Sequence, residues 1–270
     1  MSLSIYKNHS AVITGASSGI GYEMALQLAE EGAWLTLAAR RKEKLESLAE
    51  LCRNSGGRVL VVPTDVADEK QCKRLIERSV EEYNRIDTLF NNAGITMWAR
   101  FEDMQTLDPF EKVMKVNYLG SLYCTYYALP HLKQSQGRIV AISSLAGKTG
   151  VPIRTGYSAS KFAMAGFFSG IRIELARYGI SVTIVYPGFI QTNTRLQAFG
   201  SDGKVLSNRP LRRGKGMMTV EECSRRILLA TAKRKRELIL STTGKFIEVL
   251  KLIAPRLVDQ QAARAAKEVK

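Results

Sequence analysis

The chain has 270 residues, 45% of them hydrophobic, and a formal charge of +15, which suits one large folded domain with a sizeable core. Cys52, Cys72, Cys124 and Cys223 are scattered without Cys-x-x-Cys spacing, and His9 and His131 lie far apart, so neither a disulfide framework nor a zinc site is indicated. The polar start Met1–Ser10 does not read as a secretory leader and no apolar run reaches bilayer length, so the expected compartment is a reducing cytoplasm.

From the N-terminus, short apolar runs alternate with longer amphipathic ones. Ala11–Thr14, Trp34–Ala39, Arg58–Val62, Ile86–Asn91, Arg138–Ser143, Ser181–Tyr186 and Leu238–Leu240 read as strands, and the first six are near-continuous apolar runs, as in strands buried on both faces. Helical spacing is predicted at residues 19–31, 42–54, 68–84, 108–134, 156–178 and 219–233, with Asp68 and Asp108-Pro109 at helix starts. The alternation predicts right-handed βαβ units, hence an α/β fold with a parallel sheet and helices on both sides.

The first strand runs into Thr14-Gly15-Ala16-Ser17-Ser18-Gly19-Ile20-Gly21 and then a helix. Glycines at 15, 19 and 21 permit a tight turn and close backbone approach, and the free amides of the helix start suit a pyrophosphate, so a dinucleotide is the expected ligand. Where an acidic residue would hold the ribose 2′-hydroxyl of NAD, the chain has Ala38-Ala39-Arg40-Arg41-Lys42. Arg40, with Arg41 second, suits a 2′-phosphate instead, which favours NADP(H) over NAD(H).

Tyr157 and Lys161 stand four residues apart, so on a helix they share a face. A free phenol holds its proton to about pH 10, and a fixed cation nearby favours the phenolate, so the pair has the chemistry of an acid/base at neutral pH.

The glycine turn Thr14–Gly21, Asn91-Asn92-Ala93-Gly94, Asn117, Ser143-Ser144, Tyr157–Lys161 and Pro187-Gly188 together resemble, in order and spacing, the motif series of the short-chain dehydrogenase/reductases. The resemblance spans about residues 8 to 240. It implies a single Rossmann-type, doubly wound domain, residues 1–243, with a seven-stranded parallel sheet, a substrate loop at about 195–217, and an extension at 244–270. It further implies that Tyr157 is the catalytic acid/base, that Lys161 assists it and bonds the nicotinamide ribose, that Ser144 polarises the substrate carbonyl, and that Asn117 interrupts its helix to hold a proton-relaying water. Ser143 is the neighbouring alternative to Ser144. The implied cofactor contacts are Gly15, Ser17, Ser18, Gly19, Ile20 and Gly21 at the phosphates, Asp65 and Val66 at adenine, Asn91, Ala93 and Gly94 beside the ribose, and Pro187, Gly188, Ile190 and Thr192 around nicotinamide.

The expected activity is hydride transfer between NADP(H) and the carbonyl or alcohol of a hydrophobic small molecule, in the direction of carbonyl reduction. The alternative is a catalytically idle NADP(H)-binding sensor or scaffold. Thr96–Ala99, Leu145–Arg154, Phe189–Leu196 and the loop that follows are the expected pocket walls, mostly apolar, with Arg154 either facing the pocket as an anion ligand or lying on the surface. Beyond the last strand, Phe246, Val249, Leu250 and Ile253 recur at helical spacing among Lys245, Lys251 and Arg256. Residues 244–258 are therefore expected to pack over the pocket or another subunit, or else to lie on an anionic membrane surface. The tail Asp259–Lys270 is too polar to require a fixed structure. Basic runs after residue 204 lack interleaved aromatics, which argues against nucleic acid, and the resemblance implies a homodimer or homotetramer built through the helices at 108–134 and 156–178.

Overall fold

In chain order the elements are β1 (Ser10–Thr14), α1 (Gly19–Glu30), β2 (Trp34–Ala39), α2 (Lys42–Asn54), β3 (Arg58–Pro63), α3 (Glu69–Tyr83), β4 (Thr88–Asn91), β5 (Thr96–Met97), α4 (Asp108–Met114), α5 (Gly120–Gln134), β6 (Arg138–Ile142), α6 (Thr155–Leu175), β7 (Ser181–Tyr186), β8 (Ala198–Phe199), α7 (Val220–Ala232), β9 (Glu237–Ile239), α8 (Thr242–Ile253) and α9 (Pro255–Lys267). They belong to a computed structural model that describes residues 3–190, 198–206 and 217–267. Among the described residues, seven parallel strands form one sheet in the order β3-β2-β1-β4-β6-β7-β9, the doubly wound Rossmann-type arrangement. β5 and β8 form a separate parallel pair, Thr96 opposite Ala198 and Met97 opposite Phe199.

The apolar runs become strands because helices cover both sides of the sheet. β1 is buried along its whole length. Met24, Leu28, Leu48 and Ile227 from α1, α2 and α7 fill the core on one face. Leu75, Ala128, Leu132, Met164 and Phe168 from α3, α5 and α6 fill the other. β3, expected to be buried on both faces, is an edge strand with Arg58 and Pro63 exposed, because only β2 flanks it.

Helix ends follow the side chains able to satisfy them. Asp68 caps α3, accepting from the amides of Lys70 at 2.8 Å and Gln71 at 3.2 Å. The single helix expected over 108–134 is instead α4 and α5 joined by a π-helical turn, Lys115–Leu119, centred on Asn117. Gly120 follows, and a Cβ there would stand 2.8 Å from both Cβ and the carbonyl oxygen of Val66, so glycine lets α5 approach the end of the β3 connection.

The C-terminal segment differs from expectation. α8 turns its polar side inward: Lys148 bonds Glu248 and, at 2.9 Å, Glu237, while Lys251 donates to the Lys148 carbonyl at 2.8 Å. Phe246, Val249 and Ile253 of the expected packing face are exposed, and only Leu250 is half-buried. The tail expected to need no structure continues as helix to Lys267, next to the buried Val258. Among the described residues no helix is long and apolar enough to cross a membrane.

Gly120→Ala is expected to destabilise the protein by about 1–3 kcal/mol, because the added methyl meets backbone as well as side chain. A urea midpoint unchanged from wild type contradicts this packing.

Candidate active site

The strand order reverses between β1 and β4, and a crevice opens there beyond the strands' carboxyl ends. The residues at its floor are cross-linked. Thr14 Oγ1 donates to the Phe90 carbonyl at 3.2 Å and accepts from the amides of Asn92 and Ala93 at 3.0 and 3.1 Å. Asn92 Nδ2 returns to the carbonyls of Thr14 at 2.9 Å and Gly15 at 3.2 Å. This contact admits only glycine at two places. Gly15 has φ +67 and a Cβ there would lie 2.8 Å from Ala93 Cα, while one at Gly21 would lie 2.4 Å from Asn92 Nδ2.

The resulting cleft has a volume of about 260 Å³. Gly15, Ser17, Ser18, Gly19 and Ile20 line it at the start of α1, and Arg40, Arg41, Thr64, Asp65 and Val66 extend the wall from β2 and β3. Arg41, ranked second to Arg40 on sequence, reaches back to Ser17 Oγ at 3.3 Å. Ala93, Gly94, Ile95, Ser144, Tyr157, Lys161, Pro187, Gly188 and Ile190 complete the sites foreseen or adjoining them. Asn91 is buried and donates to Thr125 Oγ1 at 3.0 Å, while the next residue, Asn92, lines the cleft. Gly21 backs the turn instead of lining the cleft. Thr192 and most of the expected substrate loop lie outside the described residues. Of the foreseen pocket walls, Thr96, Arg154, Phe189 and Ile190 line the cleft, whereas Met97 is buried beneath Gly156.

Tyr157, Lys161 and Asn117 are brought to one place by α6 packing on the π turn. Asn117 is fully buried; its Oδ1 accepts from Ile95 N at 2.9 Å and its Nδ2 donates to Ile95 O at 3.0 Å and Ser160 Oγ at 2.9 Å. Lys161 Nζ donates to the Ile142 carbonyl at 2.7 Å and lies 5.9 Å from the Tyr157 ring centre. A Cβ built on Gly94 would enter the space between Asn117 Oδ1, 3.4 Å away, and Lys161 Nζ, 3.6 Å away. Burial pushes Lys161 down from the usual lysine value to about 7. Ser144 follows β6 and its Oγ accepts from Ala146 N at 3.2 Å, whereas Ser143 Oγ donates to the Lys161 carbonyl at 3.1 Å and is buried. Ser143 thus pins α6 to the end of β6, and Ser144 alone of the two has no such tie.

Sequence reasoning did not assign Thr14 or Asn92 a role, nor Ile95 and Val116, which line the cleft. Thr14 and Asn92 were within the quoted motifs, but pairing them needs the adjacency of β1 and β4, which local pattern does not contain.

Residues 9–201 match the family model of the short chain dehydrogenases. The chain is 37% identical over 253 residues to an 11-beta-hydroxysteroid dehydrogenase-like 2 of Arabidopsis thaliana, covering 92% of this chain and 78% of the relative. It is 38% identical over 263 residues to a dehydrogenase/reductase SDR family protein 7-like of Dictyostelium discoideum, covering 95% and 81%. Among solved structures, an alcohol dehydrogenase of the archaeon Thermococcus sibiricus, complexed with 5-hydroxy-NADP, superposes with a TM-score of 0.74 at 26% identity, covering 86% of this chain and 95% of that one. The chain belongs to the short-chain dehydrogenase/reductase family and is an oxidoreductase of that family.

The buried lysine has a consequence for stability. Below pH 7 the folded protein carries it charged at a cost; between about 7 and the unfolded value of 10.5 the unfolded chain binds the extra proton, so this group's destabilisation is relieved as pH rises. Lys161→Met is therefore expected to melt above wild type at pH 6, with the gap narrowing by pH 9. A gap independent of pH contradicts the burial effect.

Proposed function

We propose that the protein is an NADPH-dependent carbonyl reductase whose reaction is carried by Tyr157, Lys161, Ser144 and Asn117. The observation that supports this most directly is the convergence of Ser144, Tyr157 and Lys161 on the same cleft as the glycine turn and the two arginines. The residues fit a dinucleotide phosphate: glycine where a Cβ would collide, the start of α1 for a pyrophosphate, and Arg40 and Arg41 for a 2′-phosphate. Bound there, NADPH supplies the hydride that reduces a carbonyl carbon.

The chain's own residues handle the proton and the orientation. Tyr157 gives its phenolic proton to the carbonyl oxygen as negative charge grows there. Ser144 donates a hydrogen bond to the same oxygen. The Lys161 ammonium, held against the Ile142 carbonyl, favours the phenolate left behind, and Asn117 keeps the π turn open beside it. Ile95, Val116, Ile142, Phe189 and Ile190 are the apolar part of a cleft lining that is otherwise largely polar, and they are the side chains offered to a hydrophobic substrate body. Asp65, Val66, Pro187 and Gly188 of the cleft lining are further cofactor contacts in this reading, as is Thr192, which lies outside the described residues. Exposed Tyr126 on α5 and Ile173 on α6 lie on the helices assigned to a homodimer or homotetramer contact. Exposed Phe246, Val249 and Ile253 beside Lys245 and Lys251 are assigned to a second surface, a subunit or an anionic membrane.

Tyr157→Phe is expected to lower kcat for carbonyl reduction by about 10²–10⁴-fold while the affinity for NADPH, measured by fluorescence titration, stays close to wild type. Turnover equal to wild type contradicts the proton donor. Arg40→Ala and Arg41→Ala together are expected to weaken NADPH binding by about 10-fold or more and NADH binding far less. Equal losses for the two cofactors refute the 2′-phosphate assignment.

A further inference from the structure

We infer that Lys148 is a positioning residue for the reaction: by tying the turn that carries Ser144 to β9 and α8, it fixes Ser144 against the segment Pro187-Gly188. The inference rests on the reductase reading of the cleft and extends its machinery to a residue outside the cleft lining.

Ser144 caps a short 3₁₀ turn, Leu145–Gly147. Its carbonyl accepts from Gly147 N at 2.8 Å, and the Leu145 carbonyl accepts from the amides of Lys148 at 3.0 Å and Thr149 at 3.1 Å, so Lys148 closes the turn. Leu145 N donates to the Pro187 carbonyl at 3.1 Å, which joins the turn to the chain leaving β7. One side of the turn rests on α6: a Cβ at Gly147 would stand 2.6 Å from Ser143 Oγ and 2.7 Å from the Lys161 carbonyl oxygen. The other side rests on α8, where a Cβ at Gly244 would stand 2.6 Å from Leu145 Cδ2. So short a turn has few bonds of its own, and its place depends on what grips it from outside.

Lys148 supplies that grip with its side chain and its backbone. Its Nζ donates to Glu237 of β9 at 2.9 Å and to Glu248 of α8, and lies 4.3 Å from the ring centre of Tyr186, the residue before Pro187. Its carbonyl accepts from Lys251 Nζ of α8 at 2.8 Å. Only 18% of the side chain is exposed, so the ammonium is held more firmly than in a solvated surface pair. Burial works against its charge, yet the bonds to Glu248 and Glu237 outweigh that penalty and hold the proton above the usual lysine range.

Removing the ammonium would do more than delete two bonds. Both carboxylates reach the same nitrogen, so without it they face each other as like charges, and their repulsion acts where β9 and α8 flank the turn. Ser144, Pro187 and Gly188 line the cleft and Lys148 does not, so its effect reaches the reacting atoms through Ser144. A displacement of about 1 Å at such a group is enough to cost about 10²-fold in rate.

The test is a double-mutant cycle on the full chain, with NADPH and either 4-nitrobenzaldehyde or 9,10-phenanthrenequinone as the carbonyl probe. Lys148→Met is expected to lower kcat about 10-fold or more while the Kd for NADPH stays within about 3-fold of wild type, because the glycine turn and the two arginines lie on other strands. Lys148→Arg, which keeps the charge and can engage both carboxylates, is expected to restore most of kcat. Glu248→Gln, which loosens the grip and leaves Lys148 on Glu237, is expected to give the same pattern at smaller amplitude. In a Ser144→Ala background the further loss from Lys148→Met is expected to shrink toward none, since the group it positions is gone. An equal fold-loss in both backgrounds, or wild-type kcat in Lys148→Met, overturns the assignment.

Amide exchange of the protein loaded with NADP⁺ asks the same question without turnover. In Lys148→Met the amides of residues 145–149 are expected to exchange about 10-fold or more faster, with those of β1 unchanged. Unchanged exchange at 145–149, or acceleration spread evenly over the sheet, also overturns it. Absence of reduction of both probes by wild type, alongside the local exchange effect, counts against the reductase reading and leaves the clamp on the Ser144 turn standing.

Discussion

The site depends on how closely the carboxyl ends of β1 and β4 are held together. Thr14 and Asn92 exchange bonds across that junction, and their contact leaves no room for a side chain at Gly15 or Gly21. A parallel sheet whose strand order reverses necessarily leaves a crevice at this point, since helices depart to opposite faces. In this chain the crevice floor is backbone and small polar side chain, so a ligand approaching it meets amides and carbonyls already in fixed positions.

A second constraint places Tyr157 and Lys161 over that floor. Asn117 uses its amide twice on Ile95 and once on Ser160, which ties the π turn to the segment after β4 and to α6. Ser143 ties α6 to the end of β6 through the Lys161 carbonyl, and Lys161 reaches Ile142 on the same strand. The cost is a lysine buried in the fold, whose proton affinity falls into the neutral range. A cation held under such conditions is sensitive to any charge that forms beside it, which is the property an acid/base site needs.

Most strands and helices were legible from the alternation of apolar runs and 3.6-residue periodicity, because burial on one or both faces writes that pattern directly. Three features were not. The π turn leaves helical spacing almost undisturbed, so the interruption at Asn117 was implied by the family resemblance and not by the pattern of apolar residues. Ile153, left-handed at φ +60, has no local signature, since nothing in an isoleucine announces a conformation that its tertiary contacts impose. α8 presents its apolar residues outward because Lys148, Glu237, Glu248 and Lys251 engage its polar side, a network whose members are remote in sequence. Around the cleft the motif types were legible, but that Asn91 turns to Thr125 while Asn92, just past β4, turns to Thr14 and Gly15 depends on neighbours remote in sequence.

We propose that this cleft reduces carbonyl compounds with NADPH. The most direct measurement is the loss of NADPH absorbance over a panel of hydrophobic ketones, aldehydes and quinones, neutral and anionic, with the alcohol product quantified in parallel. The expected result is NADPH consumed in equal amount to alcohol formed for at least one member of the panel, faster than with NADH. Tight NADPH binding with no carbonyl reduced by either cofactor contradicts it and favours a cofactor-binding protein without turnover.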